Sequence, residues 1–203
     1  MILSPYELRH KIHENPELSL EEYQTTELLE RTIKEAATSY NVDINVYRPL
    51  KTGLIVEYNG GNQDKYLLFR ADIDALNIKE KTNIDFKSQN EYMHACGHDV
   101  HIAILYGFFI NVIKKKVKKN IIFLFQPAEE SKGGAQRIIE SKVLDKYNIK
   151  GAFALHVNDD FPLGTIASTR GTLFASALEF FVDFEGVSSH LAFPHQSHIF
   201  RCA

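Results

Sequence analysis

The chain has 203 residues, 44% of them hydrophobic and 24% charged, with a formal net charge of −3. Such a balance belongs to an ordinary globular protein and gives no reason to expect a polyanion or nucleic acid as partner. No apolar run reaches the roughly 20 residues of a membrane-spanning helix, and the start lacks the basic-then-apolar layout of a secretion signal, so neither a membrane nor export is expected.

Only two cysteines occur, Cys96 and Cys202, too few for a disulfide framework, which points to a reducing, cytoplasmic setting. Ser4-Pro5-Tyr6-Glu7 predicts a helix start, with Ser4 as N-cap and Pro5 at the first helical position. This helix carries Leu8 and Ile12 on one face and should stop near Asn15-Pro16; His10 and His13 on it read as structural or solvent-facing. A second helix, over about 20–39, places Leu29, Ile33 and Ala36 at helical spacing. Residues 42–47 and 54–58 predict strands, the latter closed by Asn59-Gly60-Gly61.

The run Tyr66-Leu67-Leu68-Phe69 begins a strand covered on both faces, and its end is abruptly charged. Arg70, Asp72 and Asp74 share one side by the two-residue period, a pattern that a plain polar strand exit also produces. Met93-His94-Ala95-Cys96-Gly97-His98-Asp99-Val100-His101 follows. It packs three histidines, a cysteine and an aspartate into nine residues. A thiolate and an imidazole flanking one glycine can turn toward a single point and hold a zinc-type ion, although a histidine-rich loop can equally be polar surface.

After His101 a helix is expected through Ile104, Leu105, Phe108, Phe109 and Val112, ending in the lysines 114–119, which suit a helix C-terminus. Residues 120–126 predict a second fully apolar strand, stopped by Pro127 and followed at once by Glu129 and Glu130. Gly133-Gly134 opens a helix through Ile138 and Ile139, and a third buried strand, 152–155, ends in His156.

Strands alternating with helices predict an α/β fold with a central, mostly parallel sheet flanked by helices, in which active sites gather at the carboxyl ends of strands. Asp72/Asp74, Glu129/Glu130 and His156 mark three such ends, with the Cys-x-His run between the first two. Cys96, His98, Glu130 and His156 are natural ligands for zinc or manganese. Two adjacent glutamates that point to opposite sides cannot easily both be ligands, so Glu129 becomes the candidate general base. Asp72 and Asp74 suit orientation of a ligand histidine. Metal-assisted hydrolysis of an amide or ester is the expected chemistry.

Arg70-Ala71-Asp72-Ile73-Asp74-Ala75-Leu76, the 93–101 run and Gln126-Pro127-Ala128-Glu129-Glu130 resemble the aminoacylase/hippurate hydrolase branch of the two-metal amidohydrolase and carboxypeptidase family. Leu8-Arg9-x-x-Ile12-His13-x-x-Pro16-Glu17-Leu18 and Gly186-x-Ser188-Ser189-His190 extend that resemblance along almost the whole chain. Residues 164–167 and 171–176 are most similar to members that remove acetate from N-acetyl-diaminopimelate.

The resemblance implies a zinc-exopeptidase-like catalytic domain over 1–174 and, from 175 to 203, the start of a smaller α/β lid that also dimerises. It implies Cys96, His98, Glu130 and His156 as ligands of one or two divalent ions, zinc or manganese, with cobalt or nickel as substitutes. Asp72 and Glu129 match the catalytic aspartate and proton acceptor. His190 matches a lid histidine that reaches the substrate carbonyl across a homodimer. The substrate implied is a small N-acyl amino acid, with a general aminoacylase as the first alternative.

Asn77 replaces the family's usual proline, and residues after His198 leave the family pattern. Members are nearly twice as long, so the resemblance further implies a truncated chain lacking a last metal-binding histidine, with the lid strand at about 178–185 deprived of its partners and presenting an unpaired edge. A remnant that at most binds metal is therefore the second alternative.

Overall fold

The computed structural model describes residues 2–172, 182–187, 190, 192 and 198–202. The chain divides into two compact units, Met1–Asp159 and Asp160–Ala203. In the first unit the elements are α1 (Pro5–Glu14), α2 (Tyr23–Ser39), β1 (Asn45–Tyr47), β2 (Leu54–Asn59), β3 (Tyr66–Asp72), α3 (His98–Lys115), β4 (Asn120–Gln126), α4 (Gly134–Glu140) and β5 (Ile149–Ala154). The strands form one sheet in the order β1-β2-β4-β3-β5. β2 is antiparallel to both its neighbours, while β3 is parallel to β4 and to β5, so β2 alone runs against the other four.

The alternation within β4 builds the two faces. Ile121, Phe123 and Phe125 pack toward α1, α2 and α3, joining Leu8, Ile12, Leu29, Ile33, Ile102 and Phe109. Ile122 and Leu124 turn to the other side and meet Ile55, Leu68, Tyr147 and Ile138 of α4. Every residue of β4 is buried, as its unbroken apolar run predicts for a strand covered on both faces. The three-layer arrangement therefore follows from strand period and helix spacing together.

Local sequence sets the helix ends. Ser4 caps α1 in a reciprocal box with Glu7, and Pro5 occupies the first turn, where a missing N–H costs nothing. α2 lacks a cap from its own N-terminal residue; instead Glu17 reaches across, its carboxylate accepting from the N–H groups of Gln24 (3.0 Å) and Thr25 (2.8 Å). The acidic residue of the Pro16-Glu17-Leu18 motif is thus a helix cap supplied from the preceding loop. α3 ends at Lys115, with Lys114 and Lys115 in its last turn.

Three expectations change. α3 begins at His98 and not after His101, because Gly97, at φ +84°, provides the left-handed turn that starts the helix. A side chain at Gly97 would come within 2.5 Å of Val157 Cγ2, so glycine is required twice over. β5 is an edge strand and largely exposed, with Phe153 at 51%; its apolar composition mimics a buried strand, but one of its edges has no partner among the described residues. The third change concerns the lid strand. Residues 178–181 lie outside the described residues, but Phe184–Val187 forms β6, which pairs antiparallel with β7 (His198–Cys202) in a two-stranded sheet of the second unit. Its described part is therefore paired along one edge.

Candidate metal centre

The carboxyl ends of β3, β4 and β5 and the first turn of α3 bring the predicted residues of the first unit together. Cys96, His98 and His156 form one group whose potential ligand atoms lie within 4.8 Å of one another; His98, Glu129 and Glu130 form a second, and Asp72, His98 and His101 a third. His98, 1% exposed, belongs to all three. Its ring orientation is fixed from behind. Nδ1 lies 2.9 Å from the carbonyl oxygen of Asp74 and 3.2 Å from Asp74 Oδ1. A carbonyl only accepts, so Nδ1 carries the proton and Nε2 is turned toward the cluster.

There Nε2 faces Asp72 Oδ2 at 3.6 Å, Glu130 Oε1 at 3.5 Å and Glu129 Oε2 at 3.8 Å. Both His98 Nε2 and Glu130 Oε1 are buried without a hydrogen-bond partner among the described residues. Orphaned ligand-type atoms converging in this way are what a divalent cation satisfies. On the opposite side Cys96 Sγ is 3.3 Å from His156 Nε2, and His156 Nδ1 donates to the carbonyl of Val157 at 2.7 Å. That tautomer again directs Nε2 to the cluster. His156 itself is exposed.

The electrostatics ask for a cation. Burial, then the neighbouring Glu130 charge, pushes the Cys96 thiol up to about 12. Glu129 is raised by burial and by Glu130 beside it. Asp72 goes the other way: burial would raise it, but the hydrogen bond from His101 with the charges of His98 and Arg70 brings it to about 2. Excess acid on one side of His98, with a thiol that cannot ionise unaided, fits a divalent ion held by thiolate, imidazole and carboxylate.

The two glutamates do not point to opposite sides as an extended strand end would place them. Ala128, at φ +55°, turns the chain after Pro127, and both carboxylates approach His98. Glu129 remains the more open of the two, its side chain 40% exposed against 20% for Glu130. Asp72 and Asp74 also part company. Asp74 holds His98, and accepts from Ser19 Oγ (2.7 Å) and Glu130 N (3.0 Å) on Oδ2. Asp72 accepts from Arg70 (2.7 Å) on Oδ2 and from His101 Nδ1 (2.6 Å) on Oδ1. His101 Nε2 accepts from Val157 N at 3.0 Å, so both ring nitrogens are engaged and His101 braces the turn after His156. His190 lies in the second unit, where its Nδ1 accepts from Ala192 N.

Several supporting residues escape a reading of the sequence. Asp99 Oδ2 accepts from Arg9 Nε and His13 Nδ1, each at 2.9 Å, and His13 Nε2 meets Glu80 Oε1 at 3.3 Å. This buried network ties α1 to the first turn of α3 and to the long loop that leads to Cys96. Its one legible signal is the spacing Arg9-x-x-x-His13, which sets both side chains on one helix face. His94, by contrast, is 4% exposed with no hydrogen-bond partner for either ring nitrogen among the described residues, and burial lowers it to about 4.

Residues 68–195 match the model of peptidase family M20/M25/M40. The chain is 41% identical over 196 residues to an N-acetyldiaminopimelate deacetylase from Oceanobacillus iheyensis, covering 96% of this chain and 52% of the relative. With the deacetylase of the same name from Bacillus subtilis the identity is 41% over 189 residues, covering 93% of this chain and 50% of the relative. The chain therefore spans about half the length of the curated relatives it matches. Among solved structures it is similar to the Bacillus subtilis YXEP protein, a dinuclear metal binding peptidase from the M20 family. There the TM-score is 0.72 at 37% identity, covering 82% of this chain and 46% of that one.

Proposed function

From its place in peptidase family M20/M25/M40, to which the chain belongs, we propose that it carries the amide-hydrolysing centre of an N-acetyldiaminopimelate deacetylase, releasing acetate from N-acetyl-LL-diaminopimelate. The observation that carries this reading is the convergence of Cys96, His98, His156 and Glu130, with His98 Nε2 and Glu130 Oε1 buried and without a hydrogen-bond partner among the described residues. Those four residues would hold a divalent ion, zinc or manganese first and cobalt or nickel as substitutes. The similarity to the dinuclear YXEP protein favours two ions over one. Bound there, the metal supplies Lewis-acid polarisation of the amide carbonyl.

The remaining steps belong to the protein. Glu129, more open than Glu130 and raised by burial, accepts the proton of the attacking water and passes it to the departing amine. Asp74 holds His98 in the tautomer that offers Nε2, and Asp72 with Arg70 and His101 steadies the β3 end beside it. In this reading residues 1–174 are the catalytic domain and 175–203 begin a lid. Through that lid a form of the relatives' length pairs as a homodimer and brings His190 to the substrate. A biosynthetic deacetylase of this kind works in the cytoplasm; no described helix is long and apolar enough to cross a membrane.

The test is acetate release from N-acetyl-LL-diaminopimelate and from a panel of N-acyl amino acids, with added zinc or manganese, beside Glu129→Gln. Metal-dependent release selective for the diaminopimelate, reduced about 10²–10⁴-fold in the variant, is expected. Equal rates across the panel would favour a general aminoacylase. Metal bound without turnover would favour a metal-binding chain.

A further inference from the structure

Glu22 is a fully buried acid, 0% exposed, with no ion-pair partner among the described residues. Its Oε1 accepts the N–H of Ala128 at 2.8 Å across 106 residues of sequence, while Oε2 has no hydrogen-bond partner among the described residues. A carboxylate without a cation is costly to bury; burial raises this group, while the Thr52 hydroxyl and the Ala128 amide oppose that rise.

What it grips is the turn that aims the two glutamates. Ala128 stands at φ +55°, a left-handed conformation that L-residues other than Gly, Asn and Asp seldom adopt. Three features hold it there. Its N–H goes to Glu22, and its carbonyl accepts from Gly134 N at 2.8 Å. Pro127 before it is wedged against Gly53, where any side chain would come within 2.6 Å of the proline ring. Gly53 N in turn donates to Thr26 Oγ1 at 2.9 Å, one turn along α2 from Glu22. The start of α2 thus grasps both sides of Pro127-Ala128, and the next two residues deliver their carboxylates to His98.

We infer that Glu22 is a positioning residue of this centre: its Oε1 clamps the Ala128 amide and so holds the left-handed turn that directs Glu129 and Glu130 onto His98. The functional consequence rests on the metal-centre reading; the clamp itself does not. Removing the oxygen from Ala128 loosens the turn, and Glu130 ceases to be presented to the ion.

The experiment compares Glu22→Gln, which keeps an oxygen acceptor at the same reach, with Glu22→Asp, which keeps the acid but withdraws it by one methylene. Amide exchange at Ala128–Glu130 in the metal-free 203-residue chain reads the clamp, and zinc titration reads its consequence. Expected for Glu22→Gln are exchange and zinc affinity close to those of the wild type. For Glu22→Asp, exchange at Ala128 rises about tenfold and zinc affinity falls about 10–100-fold, while exchange within β4 stays unchanged. Ala128→Gly, which adopts positive φ without strain, should restore zinc affinity to the Glu22→Asp chain.

The opposite pattern, with Asp tolerated and Gln not, would overturn the inference in favour of a role for the charge. Exchange rising throughout β4 with no rescue by Ala128→Gly would reduce Glu22 to a packing residue. A wild type that binds no zinc would contradict the metal-centre reading, and the exchange data would still decide the clamp.

Discussion

Zinc binding should be coupled to proton release, and the count follows from the site. The Cys96 thiol stands at about 12, raised first by burial and then by Glu130. At neutral pH it is fully protonated, yet a metal takes it as thiolate, so one proton must leave. His98 supplies a second wherever its ring is doubly protonated. Burial lowers its pKa, but the hydrogen bond with Asp74 and the charges of Asp72, Asp74 and Glu130 outweigh burial and raise it. Below that raised value the ring must lose the proton on Nε2 before it can ligate.

Affinity should accordingly rise about tenfold per pH unit from Cys96 alone, about 1.4 kcal/mol for each unit, and more steeply where His98 is also protonated. Titration calorimetry of zinc in buffers of different ionisation enthalpy counts the protons directly. Cys96→Ser should release one proton fewer and lose one decade of the slope. A wild type whose zinc affinity is independent of pH, or a Cys96→Ser chain with an unchanged proton count, would refute the assignment of Cys96 as a ligand.

Three further outcomes are expected. His13→Ala strips two buried carboxylates, Asp99 and Glu80, of a shared partner and should cost about 3–5 kcal/mol in urea melts. The hydrogen bond with Asp99 raises the folded pKa of His13 above 6.5, so its contribution is complete below that value and is lost as pH rises through the folded one. The gap between wild type and variant should therefore shrink toward alkaline pH. Asp74→Ala removes the carboxylate that Ser19 and the Glu130 amide hold against His98 and should weaken zinc binding about 10–100-fold in the same titration. Phe123→Ala empties a site in β4 packed edge-on against Phe109 and should cost about 3–5 kcal/mol in thermal melts.

What could be read from the sequence was what local periodicity and spacing encode. The Ser4–Glu7 cap, the all-apolar β4 and the charged ends of β3 and β4 are contained within a few residues each, and the site lies where these ends meet. A strand's apolar composition does not say whether anything covers it. β5 therefore looked as buried as β4. Gly97 looked like part of a loop although it starts a helix. The supporting contacts were invisible for a different reason. His13 meets Asp99 across 86 residues and Glu22 meets Ala128 across 106, and no short pattern couples positions so far apart. The left-handed turn at Ala128 carries no glycine or asparagine to announce it; it exists because tertiary contacts impose it.

Cobalt(II) absorption spectroscopy on the intact chain addresses the centre most directly, because a cobalt–thiolate bond has its own charge-transfer band. A band that saturates with bound cobalt, disappears in Cys96→Ser and weakens with lower affinity in His98→Ala is the expected result. Cobalt that binds without a thiolate band, or with the same affinity in both variants, would mean that Cys96 and His98 do not form the metal centre.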